Sequence, residues 1–387
     1  MAFDYFMPTR ILFGPGKLGE LHAQPLPGKK ALIVISAGGS MRRQGFLSRL
    51  EEQLDKAGVS HVLFEKILPN PIKEHVMEGA ALARDTGCDF IVGLGGGSSI
   101  DSAKSIAVMA SNPGDYWDYI SGGTGKGRAV PNDPLPVVAI TTTAGTGTEA
   151  DPWTVITNGD EKIGFGYAKT FPCLSIVDPE LMLSVPQKLT AYQGFDALFH
   201  STEGYLNRTA NEMSDLFALK AISLIGKSLK SAVTDGKNIE ARGDVALANT
   251  LSGFVESISG CISEHSIEHA LSGFHPELPH GAGLIMISLA YYTYLGKSGS
   301  CDERMVTMAK ALGKTDAKVP MDFVAALSDL QKSCGVADLK MSDYGISRED
   351  IPRIAAHARE TMGGLFQVDP CEIDHSSVEE ILESSYR

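Results

Sequence analysis

Between Lys29 and Ile140 the apolar positions fall in short β-rich runs, at residues 31–36, 61–64, 89–94 and 136–140, separated by helix-patterned stretches at 41–57, 73–85 and 98–110. Strands alternating with helices of this length predict βαβ units around a parallel sheet. The runs are continuously apolar instead of alternating, as expected of a sheet covered on both faces. Residues 153–157 and 173–177 form two more extended runs, expected to widen that sheet. Beyond Val177-Asp-Pro-Glu180 the strand pattern stops. From Pro186 onward the chain reads as helices, at 187–206, 212–232, 239–259, from about Ser263, and at 302–312, 321–334 and 348–359. Ser376, followed three residues later by Glu379, marks the start of a last helix. The expected architecture is an α/β domain over residues 1–180 followed by an all-α domain over 181–387.

The chain has 387 residues, 43% of them hydrophobic and 21% charged. At roughly 100–200 residues per domain this length fits two domains with substantial cores and excludes a disordered chain. Lys and Arg total 34 against 47 Asp and Glu, a net charge of −13. That balance is a poor electrostatic footprint for nucleic acid or an anionic membrane. The opening Met1-Ala-Phe-Asp-Tyr-Phe6 lacks a basic segment leading into an apolar one, and the apolar run 284–295 is too short to span a bilayer. A soluble cytoplasmic protein without membrane or nucleic-acid partners is expected. The six cysteines, at 88, 173, 261, 301, 334 and 371, form no CxxC pair and are expected as buried reduced thiols.

Two regions carry candidate chemistry. In Asp89-Phe-Ile-Val-Gly-Leu-Gly-Gly-Gly-Ser-Ser-Ile-Asp-Ser-Ala-Lys104 a strand runs into Gly95, Gly96 and Gly97, then into a helix expected to be capped by Ser98 or Ser99. Glycines let a backbone approach a ligand closely, and the N–H groups and dipole of a helix start favour a phosphate. The spacing departs from the usual dinucleotide fingerprint, because Ser98 stands where a third glycine would fall. The alternative is a tight βα turn with a capping box between Ser98 and Asp101. A second polar loop, Thr141-Thr-Thr-Ala-Gly-Thr-Gly-Thr-Glu149, leaves another strand at the same edge of the sheet, where open α/β sheets bind ligands.

Of ten histidines, five lie at 200, 265, 269, 275 and 280. Asp196 and His200 stand four apart, as do His265 and His269, so each pair shares a helix face. His280 sits in Leu278-Pro-His-Gly281. A carboxylate with several imidazoles suits iron(II) or zinc with one position open to substrate. Spacing alone leaves open which histidines bind it.

Taken together, Ile11-Leu-Phe-Gly-Pro-Gly16, Gly95 to Lys104, Thr142-Thr-Ala-Gly-Thr146, Gly194-Phe-Asp-Ala-Leu-Phe-His200 with Glu203-Gly204, and His265-Ser-Ile-Glu-His269 through Pro279-His-Gly281 resemble the iron-containing (group III) alcohol dehydrogenases. The resemblance covers nearly the whole chain. It implies an N-terminal Rossmann-like dinucleotide-binding domain, an all-helical metal and substrate domain, a cleft between them, and reversible oxidation of a small aliphatic alcohol to its aldehyde with NAD or NADP. By the same resemblance Asp196, His200, His265 and His280 would hold Fe(II), or Zn(II) in its place. His269 would stand near the reacting centre as a proton carrier. The implied cofactor contacts are Gly95, Gly96, Gly97, Ser98 and Asp101 around the pyrophosphate, Thr142, Thr143 and Thr146 along the dinucleotide, Lys162, and Gly39 and Ser40 after an early strand. A homo-oligomer, dimeric or larger, is also implied. The stretch 270–279 is one residue longer than in many members of that family and carries His275, which leaves the choice between His265 and His269 open.

Charge bears on the cofactor. An acidic side chain at the end of an early strand would bind the ribose 2′-hydroxyl and repel a 2′-phosphate, whereas arginines accept the phosphate. The strand ending at Ser36 continues Ala37-Gly-Gly-Ser-Met-Arg-Arg43 without a carboxylate, which argues for NADP over NAD. Trp153, Tyr192, Phe254 and Phe274 are candidate pocket residues. The rival readings are a glycerol or other polyol dehydrogenase of the same architecture, a metal-dependent hydrolase that needs no nicotinamide, and a nucleotide- or metal-binding sensor without turnover. Lys and Arg are sparse around Asp196 and His200, which disfavours a phosphorylated substrate.

Overall fold

The computed structural model describes residues 3–387. The N-terminal part runs β1 (Arg10–Phe13), β2 (Lys30–Ser36), α1 (Ser40–Arg43), α2 (Phe46–Lys56), β3 (Ser60–Ile67), α3 (Lys73–Thr86), β4 (Phe90–Gly95), α4 (Gly97–Ser111), β5 (Val137–Thr141), β6 (Thr154–Asn158), β7 (Glu161–Phe165) and β8 (Leu174–Val177). Six strands form one all-parallel sheet in the order β1-β8-β5-β4-β2-β3. Successive side chains of a strand point to opposite faces. Leu32, Val34 and Ile91 therefore meet Val76, Ala80 and Ile106 of α3 and α4 on one side, while Ile33, Ile35 and Val92 meet Leu47, Leu50 and Leu54 of α2 on the other. Both faces are apolar because both are covered, which explains the continuous apolar runs.

Two expectations change. The run at 153–157 does not join the sheet: β6 pairs antiparallel with β7 across the turn Gly159-Asp160. Gly159 adopts φ +67°, the left-handed conformation that lets so short a connection close a hairpin. The stretch 41–57 is two helices, because Gly45 at φ +73° breaks the path between α1 and α2.

The remainder is helical, with α5 (Gln187–Leu206), α6 (Glu212–Thr234), α7 (Ile239–Ile258), α8 (Ser263–Phe274), α9 (His280–Ser298), α10 (Asp302–Ala311), α11 (Met321–Ser333), α12 (Ile351–Met362) and α13 (His375–Ser385). The last helix starts on Asp374, whose side chain accepts from the Ser377 N–H, two residues earlier than the expected Ser376 cap. Every residue from Gly194 to Leu206 on α5 and from Ser263 to Gly273 on α8 is buried, polar ones included. The apolar run at 284–295 lies within α9, and no single helix among the described residues is long and apolar enough to cross a membrane. All six cysteines are unpaired, but only Cys88, Cys301 and Cys334 are buried; Cys173 is exposed and Cys261 and Cys371 are half-buried.

The sheet and the helices meet at close range. The β5–β6 loop lies directly on α7, where a Cβ placed on Gly253 would stand 2.3 Å from the Gly147 carbonyl oxygen. Gly147 itself sits at φ +62° and donates its N–H to Asn249 Oδ1 at 2.8 Å.

Candidate active site

On α5, Asp196, His200 and Glu203 follow at i, i+4 and i+7, which puts all three on one face. That face looks toward α8, carrying His265, Glu268 and His269, and toward the first residue of α9, His280, set by the preceding Pro279. Asp196 Oδ1 is the common point. It lies 3.4 Å from His280 Nε2, 3.6 Å from His265 Nε2 and 3.7 Å from His200 Nδ1. The His200 and His265 rings stack with centroids 4.3 Å apart.

Each of two imidazoles is held from behind by a carboxylate. Glu203 accepts from His265 Nδ1, and Glu268 accepts from His280 Nδ1. Both glutamates are fully buried. A carboxylate on Nδ1 fixes the tautomer and turns the Nε2 lone pair outward. On that outward side Asp196 Oδ1 and His265 Nε2 are buried without any hydrogen-bond partner. Unpaired buried polar atoms are costly. Here an anionic oxygen and imidazole nitrogens converge on one point, and a divalent cation is the species that fits them.

The charges agree with this arrangement. Burial alone would raise the Asp196 carboxyl, but the His200 and His280 imidazoles outweigh it and hold it well below the usual carboxylate range. Burial pushes His200 down to about 3, helped by the neighbouring His265 and His280. Burial and the Lys162 ammonium hold His269 well below the usual imidazole range, so it is neutral at pH 7. His269 and His265 are 6.2 Å apart between centroids, and His269 Nδ1 faces Met362 Sδ at 3.0 Å.

A cavity of about 680 Å³ opens from this cluster toward the sheet, with His200, His265, His269 and His280 on one side and the β4–α4 loop on the other. The glycine loop differs in detail from expectation. Helix α4 starts from Gly96 with no side-chain cap, so neither Ser98 nor Ser99 occupies its first N–H groups. Ser98 Oγ donates instead to the Pro69 carbonyl. Asp101 is no capping-box partner. Its Oδ1 accepts from Thr148 Oγ1 at 2.6 Å and its Oδ2 from the Val155 N–H at 2.9 Å, bracing α4 against the β5–β6 segment. The glycines allow two loops to touch: a Cβ on Gly96 would stand 2.8 Å from Thr143 Oγ1, and one on Gly97 2.5 Å from Thr146 Cγ2. An uncapped helix start beside small residues is a ready anion site.

Of the residues expected at the cofactor, Gly97, Ser98, Asp101, Thr146 and Lys162 line the cavity. Gly95, Gly96, Thr142 and Thr143 do not line it, and the Thr142 N–H donates to the Gly95 carbonyl at 2.9 Å. Gly39 and Ser40 begin α1, away from the cavity walls. Lys162 is no solvated lysine. It is buried, donating to Ser272 Oγ at 2.9 Å, and lies 3.5 Å from Glu268 Oε2 and 3.4 Å from His280 Nδ1.

The NADP expectation rests on a loop without a carboxylate. A carboxylate absent from the 37–43 loop arrives from the neighbouring strand, where Glu65 on β3 pairs with Arg42 at 2.8 Å. Linear reading missed it because the two residues are 23 apart in the chain. Of the aromatic pocket candidates only Trp153 lines the cavity. Phe254 packs on Phe217, Phe274 on His357, and Tyr192 is buried in the helical core. Other charged groups at the cavity were not foreseen, among them Asp151 and Glu256. Their only signal in sequence is an acid at a position that folding buries.

A parallel sheet with an uncapped helix start at its edge, facing a buried carboxylate–imidazole cluster on the helices across a cleft, defines a metal- and dinucleotide-dependent oxidoreductase. Comparison with known proteins agrees. The model of iron-containing alcohol dehydrogenases matches residues 8–179, and that of the C-terminal region of the same family matches residues 190–386. The chain is 33% identical to 1,3-propanediol dehydrogenase of Klebsiella pneumoniae over 368 residues, 92% of each chain. It is also 33% identical to the NAD-dependent methanol dehydrogenase of Bacillus methanolicus, over 92% of this chain and 93% of that one. Among solved structures, an archaeal halo-thermophilic alcohol dehydrogenase from a Red Sea brine pool superposes with a TM-score of 0.94 at 33% identity, covering 100% of this chain and 99% of the other. A 1,3-propanediol oxidoreductase does so with a TM-score of 0.90 at 31% identity, covering 100% of both. The chain belongs to the iron-containing alcohol dehydrogenase family, and its chemistry is the oxidoreduction of alcohols with a nicotinamide dinucleotide.

Proposed function

We propose that the protein interconverts a small aliphatic alcohol and its aldehyde using NAD(H), with Asp196, His200, His265 and His280 holding Fe(II) or Zn(II). The observation that carries this reading is the pair of buried, unpartnered atoms Asp196 Oδ1 and His265 Nε2, facing each other with His280 Nε2 across the cavity from the start of α4. His265 is favoured over His269 as the ligand because its Nε2 faces Asp196 while the Nδ1 of His269 faces the Met362 sulfur.

When bound, the metal ion supplies Lewis acidity toward the substrate oxygen and the dinucleotide supplies the hydride acceptor. The chain supplies the rest. Glu203 and Glu268 fix the tautomers of His265 and His280, so their Nε2 atoms are preorganised as donors. Free N–H groups at the start of α4 receive the pyrophosphate. His269, kept neutral by burial and then by the Lys162 ammonium, presents an uncharged imidazole to the cavity as the candidate partner for the hydroxyl proton. Met362 and Leu365 add apolar surface to the cavity lining. A cavity of about 680 Å³ shared by a nicotinamide and a substrate favours a short chain.

NAD(H) is favoured over the NADP(H) expected from the loop because Glu65 already engages Arg42, and the Bacillus methanolicus relative is named as NAD-dependent. A cytoplasmic setting is supported by six unpaired cysteines. Self-association is supported by Phe3, Phe6 and Phe13, exposed along the chain that enters the edge strand β1.

The test is metal analysis of the purified protein, then turnover of short alcohols with NAD and NADP before and after stripping and refilling with Fe(II) or Zn(II). Turnover restored by metal, and absent from His280→Ala, is expected. A refilled protein that binds metal tightly yet reduces neither cofactor refutes the reading.

A further inference from the structure

His265 and His280 have carboxylates behind them, whereas His269 has a thioether. Met362, the last residue of α12, sets its Sδ 3.0 Å from His269 Nδ1. No other group among the described residues hydrogen-bonds to the His269 ring. The sulfur is held in place from several sides. Its helix is tied to α8 by Ser266 Oγ, which donates to the Ala358 carbonyl at 2.8 Å. The preceding Thr361 carbonyl lies against Gly122, where an added Cβ would overlap it, and the Met362 methyl stands 3.8 Å from the place a Cβ on Gly164 of β7 would take. A thioether sulfur has no hydrogen to give, so the ring must be the donor and the proton sits on Nδ1. A neutral imidazole then carries its lone pair on Nε2. His269 lines the cavity, and its Nε2, unlike the enclosed Nε2 of His265, keeps open surface. A carboxylate in place of Met362 would fix the same tautomer but would also favour the charged ring. The thioether orients the ring without adding charge.

Resting on the reading of His269 as the partner of the hydroxyl proton, we propose that Met362 is a positioning residue whose thioether holds the His269 proton on Nδ1 and turns the Nε2 lone pair toward the substrate hydroxyl as a hydrogen-bond acceptor. The residue that meets the substrate is His269, and Met362 acts through it. Leucine has nearly the volume of methionine and no acceptor, so Met362→Leu removes the hydrogen bond with little change in packing. The ring is then free to carry its proton on Nε2, which blocks the nitrogen that faces the hydroxyl.

The experiment uses zinc-loaded protein isotopically labelled on its histidine nitrogens, in which NMR shifts separate a protonated ring nitrogen from a bare one. His269→Asn identifies the His269 signals by their loss. Metal content, melting temperature, and kcat and KM for propan-1-ol with NAD are recorded for the wild type, Met362→Leu, His269→Asn and the double variant. The wild type is expected to show a protonated Nδ1 and a bare Nε2 on His269, and Met362→Leu to move proton occupancy to Nε2. In Met362→Leu kcat is expected to fall about 2–10-fold, the range for one neutral hydrogen bond, with metal content and KM for NAD unchanged. In the His269→Asn background the same change is expected to cost nothing further, because Met362 then has no ring to position. A bare Nδ1 in the wild type, or a proton that stays in place in Met362→Leu, overturns the inference. So does an equal loss of kcat in both backgrounds, which would make Met362 a packing residue. Absence of turnover in the loaded wild type overturns the dehydrogenase reading, while the nitrogen shifts still decide whether Met362 sets the tautomer.

Discussion

Replacing Glu203 tests whether the carboxylates behind the histidines govern metal binding. Glu203 is fully buried on α5, and its oxygens take three N–H groups: His265 Nδ1, the Ile262 backbone at 2.8 Å and the His265 backbone at 3.4 Å. Glu203→Ala would strand those donors at about 1–3 kcal/mol each and add a cavity, enough to threaten folding itself. Glu203→Gln is the informative change, because it conserves shape. With its amide nitrogen toward His265, the imidazole must carry its proton on Nε2, which blocks the face turned to Asp196. With its oxygen toward His265, the amide nitrogen opposes the Ile262 N–H, and a buried donor goes unpaired. Either way the site is preorganised less well, and loss of such a partner ordinarily lowers metal affinity by about 10–100-fold, or about 1.4–2.8 kcal/mol. Competition against a chromophoric chelator measures the affinity, and thermal melting of the stripped protein reports folding separately. Wild-type metal affinity in a folded Glu203→Gln protein would show that the carboxylate does not set the tautomer, and the reasoning would fail.

Three further outcomes are expected. Gly97→Ala, whose new Cβ would stand 2.5 Å from Thr146 Cγ2, should move the β5–β6 loop and weaken dinucleotide binding by about tenfold or more, read by nicotinamide fluorescence titration. Glu65→Gln frees Arg42 from its 2.8 Å partner and should shift the ratio of kcat/KM toward NADPH over NADH; an unchanged ratio removes Glu65 from cofactor choice. Glu149, buried with Oε2 unpartnered, has its carboxyl pushed up to about 7 by burial, so the unfolded chain ionises there first and stability is lost as pH rises from about 4 toward 7. Glu149→Gln should therefore raise the melting temperature more at pH 8 than at pH 5, and a pH-independent difference would refute that sign.

Local pattern carried much of the fold. The continuous apolar runs announced a covered parallel sheet, and the i, i+4 pairs of α5 and α8 pointed at the cluster, since both are properties of consecutive residues. What escaped depends on pairing at a distance. Nothing in residues 153–157 says that β7, not the sheet, is their partner. Arg42 looks available for a phosphate until β3 lays Glu65 beside it. Ser98 looks like a cap until the Pro69 carbonyl claims its hydroxyl. That Lys162 and Glu256 would be buried at the cavity is not legible in sequence, because burial of a charged residue is decided by tertiary packing.

The contact of Gly147 with Gly253 has a mechanical meaning. Backbone against backbone, with no side chain between them, leaves no compressible layer at the place where the sheet side meets α7. A closing of the cleft would find no give at that point, so the contact sets how near the two sides can come there. A methyl group added at either glycine would act as a shim, changing how far the dinucleotide and the histidines approach while touching neither.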